Sequence, residues 1–177
     1  NLTDIKLGKI RDDDWVKIVE RSDIFRALRF TVIQAAGWTV DQIRAKALQL
    51  QAEVIFVDYI GLIQSSGRDL YERATRTSID LHTMAQSTGV TVIALAQLNR
   101  SGGAGEPDMT ALRDSGQIEQ DADVVLMLSN PDAPRDKGKR SLAIRKNKEG
   151  RTGRIRMSFD GLRQRFYEID EDREEDR

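Results

Sequence analysis

The sequence predicts an α/β domain, in which a mostly parallel sheet is flanked by helices and extended by antiparallel strands toward the C-terminus. Apolar runs rich in Val, Ile and Leu, at 54–58 and 90–97, alternate with segments of helical periodicity, as in parallel sheets covered on both faces. Later short runs alternate polar and apolar residues, which is typical of antiparallel strands. The length of 177 residues suits one domain.

Apolar spacing and end signals define the predicted helices. The stretch 12–29 has apolar residues near helical spacing and acids at its start, where the helix dipole favours them. Thr39 and Gln42 have the spacing of a capping box at the start of a second helix. A third, long helix begins near Leu70 and is predicted to stop at Gly89.

The predicted strands are short and rich in β-branched or alternating residues. We expect them at 30–34, 54–58, 90–97, 122–129, 141–147, 153–160 and 163–169. The run 54–58 is continuous and apolar, so it reads as a buried strand.

The composition excludes several classes of protein. Apolar residues make up 39% and charged residues 32% of the chain, which suits a soluble globular protein without a membrane-spanning segment or secretory start. Without Cys, the chain has no disulfides and no thiolate metal sites, and a cytoplasmic location fits. The single His, His82, lies in a helical pattern and is expected at a surface or boundary.

The charge is distributed unevenly, although the net charge is only −1. Residues 168–177 hold seven acids and two bases, and we interpret them as an acidic, disordered tail behind a domain that spans 1–167. Residues 135–165 hold twelve bases and three acids. This basic segment is either a solvated surface or a site for phosphates.

Two polar residues end the strongest predicted strands. Asp58 closes the run 54–58 and Gln97 closes the run 90–97. Ligands of such sheets bind outside the carboxyl ends of the strands, so Asp58 is well placed to hold the water shell of a nucleotide-bound Mg²⁺. A cap of the following turn is an equal alternative. A phosphoacceptor Asp is disfavoured, because no acidic pair follows an earlier strand.

Four stretches in order carry a resemblance to a known family: "VIFVDYIGLI", "VTVIALAQLNR", "LRDSGQIEQDADVVLML" and "IRKNKEGRTG". Their sequence and spacing resemble the RecA-like motor domain of DnaB-type replicative helicases, and the resemblance extends over nearly the whole chain. It implies ATP and Mg²⁺ as cofactors and single-stranded DNA as a partner. It also implies a homo-oligomer, six subunits being the family's ring, with a primase and a helicase loader as possible further partners.

The resemblance also implies roles for individual residues. Asp58 matches the Walker B carboxylate that supports Mg²⁺, and Gln97 matches the polar sensor of the γ-phosphate. A strand-end amide that only satisfies local backbone is the alternative for Gln97. The family's DNA-contacting loop corresponds to Arg113, Asp114 and Gly116, which would otherwise read as a surface ion pair beside a glycine.

Two lysines correspond to a pair that faces the ATP site of the neighbouring subunit. They are Lys146 and Lys148, and Lys148 replaces the Arg usual in the family. A Lys supplies charge without the planar fork of Arg. The alternative is that both belong to a solvated basic face. Three acids of the third stretch are expected only to hold the loop and strand in place: Glu119, Asp121 and Asp123.

The family's Walker A loop, G-x-x-x-x-G-K-[ST], does not occur in these residues. The resemblance places this loop and the catalytic glutamate upstream of Asn1, so we expect a partial motor domain that is inactive alone. The main interpretation is an ATP-driven helicase on single-stranded DNA. The alternatives are a RecA-fold recombination or assembly factor, and a non-catalytic interaction module.

Overall fold

The computed structural model describes residues 2–97, 116–130 and 138–169. Within these ranges, helices cover one face of a parallel pair of strands, and a separate four-stranded antiparallel sheet follows. The helices are α1 Leu2–Lys6, α2 Asp12–Ala27, α3 Val40–Gln49, α4 Leu70–Thr88 and α5 Gly116–Asp121. The strands are β1 Val54–Val57, β2 Thr91–Ala94, β3 Val124–Ser129, β4 Lys139–Asn147, β5 Gly153–Asp160 and β6 Arg165–Glu168.

The parallel pair consists of β1 and β2, in register from Val54 opposite Thr91 to Val57 opposite Ala94. One face of this pair is covered. Its side chains pack against α3, α4 and α5 in a core built from Val40, Ile60, Leu81 and Met84, with Ile43, Ile55, Val57, Ile63, Val92 and Ile118 against it. The α/β class predicted from the sequence is therefore confirmed, and the antiparallel sheet is the larger of the two in the described part.

The opposite face of the strands is exposed, which corrects the expectation that the run 54–58 is fully buried. Burial alternates along β1, and no residue of the strand is fully buried. The exposed large side chains on β1, β2 and β3 have fractional exposures between 41% and 65%: Val54, Phe56, Ile93, Val124, Leu126 and Leu128. The continuous apolar run signals two faces suited to burial, but helices of the described part cover only one of them.

Helix α4 forms as predicted. Leu81 and Met84 face the core, and Met84 is only 2% exposed. Asp69 caps the start by accepting a hydrogen bond from the Glu72 N–H at 2.8 Å. At the other end Gly89 adopts a φ of +72°, and its N–H donates to the Ala85 carbonyl at 2.9 Å. This left-handed conformation is one that glycine adopts without steric cost, so the helix stops there.

The capping box predicted for α3 is present. The Thr39 N–H donates to Gln42 Oε1 at 2.9 Å, and the Gln42 N–H donates to Thr39 Oγ1 at 3.4 Å. Helix α2 also forms where expected, with three acids in its first turn.

The strand predicted at 30–34 is wrong. The segment has no regular structure, and Val32 is 81% exposed. A short β-branched run forms a strand only where a neighbouring strand accepts its hydrogen bonds, and within the described residues β1 pairs with β2 alone.

The antiparallel sheet has the order β3-β4-β5-β6, and its strands agree with the four predicted after residue 122. Val125, Met127 and Ala143 form a small core on one face, with Ala122 packed against it. The pairing of β3 with β4 contains a β-bulge: Val125 lies opposite Lys146, whereas Leu126 lies opposite Ile144. The extra residue in β4 changes which side chains share the face of Val125.

The chain continues past β6 to Ile169, whose N–H donates to the Arg156 carbonyl at 2.9 Å. The predicted acidic tail lies outside the described residues from 170 onward. Within the described ranges, no helix combines the length and the apolar character needed to cross a membrane.

Candidate functional site

The carboxyl ends of β1 and β2 lie side by side, and each leads into one of the predicted site residues. The Leu95 N–H donates to the Val57 carbonyl at 2.9 Å, and the Ile60 N–H donates to the Leu95 carbonyl at 3.0 Å. These bonds extend the pairing beyond the strands. Asp58 and Gln97 therefore lie at the same edge of the sheet, as the sequence predicts, and both are exposed.

The Asp58 carboxylate has no hydrogen bond or ion pair with any other described residue. The short 3₁₀ helix Ile60–Leu62 that follows is preceded by Tyr59, and no side chain caps it. The alternative in which Asp58 caps the next turn therefore gains no support from the geometry. The carboxylate is left available to a cation from outside the described residues.

A close contact shapes the turn after Asp58. A Cβ atom added to Gly61 would lie 2.7 Å from Cε2 of the Tyr59 ring. The ring therefore lies directly against the Gly61 backbone, and a side chain at this position would have to displace it.

The Gln97 side chain likewise makes no hydrogen bond with a described residue. The interpretation of Gln97 as a strand-end amide that only satisfies local backbone gains no support within these ranges. Its exposed amide offers both a donor and an acceptor to a ligand at this edge.

The predicted DNA-contacting residues are only partly described. Arg113 and Asp114 lie outside the described residues, whereas Gly116 is the first residue of α5. Helix α5 is firmly attached to α4. Asp121 accepts a hydrogen bond from Ser78 Oγ at 2.7 Å and another from Gln117 Nε2 at 2.7 Å. Asp121 thus holds the segment in place, the role expected from the sequence.

Lys146 lies against the other end of the same helix. Its ammonium donates to the carbonyl of Glu119 at 2.7 Å and to the carbonyl of Gln120 at 3.0 Å. These carbonyls belong to the last turn of α5, where backbone acceptors lack partners within the helix. A cation at this end also interacts favourably with the helix dipole.

Lys148 pairs with Asp123, the residue before β3. The two side chains approach to 2.9 Å, and their exposed fractions are 65% and 64%. The hydrogen bond from Lys148 lowers the pKa of Asp123 and, reciprocally, raises the pKa of Lys148. Exposed pairs of this kind contribute little to stability, so Lys148 can exchange Asp123 for another anion.

Several bases of the basic segment are engaged within the chain. The Arg140 guanidinium lies 5.1 Å from the centre of the Phe159 ring, and that of Arg165 lies 5.2 Å from the centre of the Tyr167 ring. Arg163 pairs with Asp160 at 2.7 Å, and the hydrogen bond lowers the pKa of Asp160. These arginines belong to the surface of the antiparallel sheet.

No group of three or more His, Asp or Glu side chains that could hold a metal exists in the described ranges. This arrangement is compatible with Mg²⁺, which keeps several waters and is bound through one or two carboxylates plus the phosphates of a nucleotide. Asp58 has the hard oxygen ligand and the exposure that this mode of binding requires.

The sequence matches one protein family along most of its length. The family described as DnaB-like helicase C terminal domain matches residues 1–168. The chain belongs to this family. Among relatives of this DnaB-like chain, the replicative DNA helicase DnaB of Haemophilus influenzae is 33% identical over 190 residues, covering 97% of the chain and 40% of the relative. The DnaB of Mycobacterium leprae is 32% identical over 172 residues, covering 89% of the chain and 28% of the relative.

Two solved structures share the fold of this DnaB-like chain. One is an ATPase domain that superposes with a TM-score of 0.88 at 26% identity, over 96% of this chain and 66% of that one. The other is a DnaB-like replicative helicase described with its interactions with primase. It superposes with a TM-score of 0.87 at 26% identity, over 96% of this chain and 46% of that one. The RecA-like fold predicted from the resemblance is confirmed. The chain spans less than half the length of the curated relatives it matches.

Sequence reasoning did not identify Ser78 or the contacts of Lys146 with α5. Ser78 could have been suspected from its place on the apolar face of a long helix, where a buried hydroxyl needs a partner. The contacts of Lys146 depend on the bulge in β4, for which the sequence carries no signal that we can identify.

Proposed function

We propose that this DnaB-like chain is part of an ATP-driven motor that translocates on single-stranded DNA and unwinds duplex DNA at the replication fork, in the cytoplasm. The observation that carries the proposal is the family match along residues 1–168. Asp58 supports it, because this carboxylate is exposed at the carboxyl edge of β1, where such sheets bind their ligands, and has no partner among the described residues.

Asp58 and Gln97 form the described part of the proposed nucleotide site. Mg²⁺ and ATP, when bound, supply the phosphoryl transfer that drives the motor. Asp58 would hold the water shell of the Mg²⁺ through its carboxylate, and Gln97 would orient a phosphate through its amide. These residues contain no Walker A pattern, so the proposed site requires a phosphate-binding loop from another part of the motor.

The proposed DNA contacts lie in the segment that leads into α5. Arg113 would pair with a phosphate, and Asp114 and Gly116 would shape the loop around it. Contacts of this kind carry no base information, so binding is expected to tolerate any sequence and to weaken with salt.

The end of β4 is the proposed contact with a neighbouring subunit. Lys146 and Lys148 would face the nucleotide of that subunit within a homo-oligomeric, six-membered ring. Lys148 is the more exposed of the two and has an exchangeable partner, which favours it as the cation that approaches the phosphates. A primase is a proposed partner because a solved relative is described with its interactions with primase, and a helicase loader is a further one.

The proposal is tested with Asp58→Asn in the protein encoded by the complete reading frame. We expect the substitution to remove most Mg²⁺-dependent ATP hydrolysis while the circular dichroism spectrum stays unchanged, because an amide holds the Mg²⁺ shell poorly. Glu53→Gln is the matched control. This substitution neutralises an exposed carboxylate directly before the first residue of β1. The Glu53→Gln protein should hydrolyse ATP at the wild-type rate.

Wild-type hydrolysis by Asp58→Asn would exclude Asp58 from the nucleotide site. Equal losses in both variants would indicate that any charge change near β1 impairs the protein, which would also remove the support for the assigned role.

A further inference from the structure

Among the described residues, helix α5 has three attachments, each to a different part of the fold. Asp121 bonds to Ser78 of α4, and Ile118 packs against the core around Leu81 and Met84. The third attachment is Lys146 of β4, which donates to two carbonyls at the end of the helix. Only this third attachment connects α5 to the proposed contact with the neighbouring subunit.

The β-bulge gives Lys146 this position. Because Arg145 is an extra residue in β4, Lys146 lies opposite Val125 instead of opposite Val124. Val125 is buried on the face where Ala122 packs, directly after α5. In a regular ladder the side chain of Lys146 would share the face of Val124, on the other side of the sheet.

The bonding pattern is suited to fixing a helix. A helix of six residues leaves most of its backbone groups without partners inside the helix. The Ala122 N–H donates to the Ile118 carbonyl at 3.0 Å. The Lys146 ammonium donates to the next two carbonyls, those of Glu119 and Gln120. The lysine therefore supplies both the missing donors and a positive charge at the negative end of the helix dipole.

We propose that Lys146 is a positioning residue, which ties α5, whose first residue Gly116 is one of the proposed DNA contacts, to the end of β4. The inference rests on the proposed function and deepens it. Lys148, two residues further along, bonds to Asp123 and to no residue of α5 in the described part of the chain.

The test uses Lys146→Met in the protein encoded by the complete reading frame, measured without nucleotide. Methionine keeps an unbranched side chain that is one atom shorter, and it removes the donors and the charge. Amide hydrogen exchange in residues 116–122 should become roughly three- to tenfold faster, because the last turn of α5 loses a charged cap. Lys148→Met is the matched control, with the same change of charge one residue past the end of the same strand, and should leave this exchange rate unchanged.

The second readout is the affinity for a single-stranded oligonucleotide over a range of salt concentrations. A positioning role predicts weaker binding by Lys146→Met with an unchanged slope of log K against log salt. A direct phosphate contact by Lys146 would instead lower the slope by about 0.7, the value for one phosphate of a single strand, and would overturn the inference.

The outcomes separate the inference from the proposed function. If the wild-type protein binds no single-stranded DNA, the proposed function fails and the inference falls with it. If it binds DNA, but Lys146→Met changes neither exchange at α5 nor affinity, the inference alone is wrong. Should Lys146→Met fail to fold, Lys146→Gln is the second variant, because its amide NH₂ still donates but carries no charge. It is expected to give a smaller acceleration at 116–122, and wild-type exchange in that variant would overturn the inference.

Discussion

A single carboxylate, that of Asp121, joins α4 to α5. Each of its oxygens accepts one hydrogen bond, from Ser78 Oγ and from Gln117 Nε2, both at 2.7 Å. Ser78 is only 9% exposed, so its hydroxyl has little access to water. A buried donor that loses its acceptor costs the free energy of its desolvation.

We therefore expect Asp121→Ala to lower the free energy of unfolding by about 2 kcal/mol, the order of a buried hydrogen bond to a charged group. The urea concentration at the unfolding midpoint of the complete protein measures this loss. Asp80→Ala, which breaks an exposed pair with Arg76 on α4, should shift the midpoint far less. Equal shifts would mean that the network around Asp121 has no special stabilising role.

Asp58 and Gln97 show how far sequence reasoning reaches at the scale of residues. Their places at the ends of two apolar runs predict a shared sheet edge, because parallel strands place their carboxyl ends together. Their exposure was not predictable, since it depends on which parts of the chain cover the sheet. The contacts of Lys146 with α5 were equally hidden, because they follow from one extra residue in β4.

At the scale of elements, segments with local end signals were predicted well. The capping box of α3 and the glycine stop of α4 are determined by neighbouring residues and do not need a distant partner. The segment 30–34 has strand-forming residues but no partner strand in the described part, and it remains irregular. Strand-forming residues therefore predict a strand only where a partner strand is available, as it is for β1 to β6.

The glycine stop yields a prediction at this scale. Gly89→Ala places a residue with a Cβ atom in a left-handed backbone conformation, with a φ of +72°. This costs about 1 kcal/mol and should lower the thermal unfolding temperature of the complete protein. Gly153→Ala is the control, because the added Cβ meets nothing within 4 Å and the backbone there is not left-handed. It should leave the temperature unchanged or raise it. A Gly89→Ala protein as stable as the wild type would show that the stop is not set by backbone strain.

At the scale of the whole molecule, both sheets expose apolar side chains in the described part, and the chain matches only part of the length of its relatives. Large apolar side chains of β1, β2 and β3 are exposed, and such faces usually contact other protein surfaces. This chain covers only 66% of the solved ATPase domain that shares its fold. The proposed activity is therefore assigned to the assembled motor and not to the described residues by themselves.

Unwinding of a forked DNA duplex by the protein encoded by the complete reading frame tests the central claim most directly. We predict strand separation that requires ATP and Mg²⁺, proceeds on forks of unrelated sequence, and is lost in Asp58→Asn but kept in Glu53→Gln. ATP hydrolysis stimulated by single-stranded DNA without any unwinding would contradict the claim and favour a RecA-fold recombination or assembly factor instead.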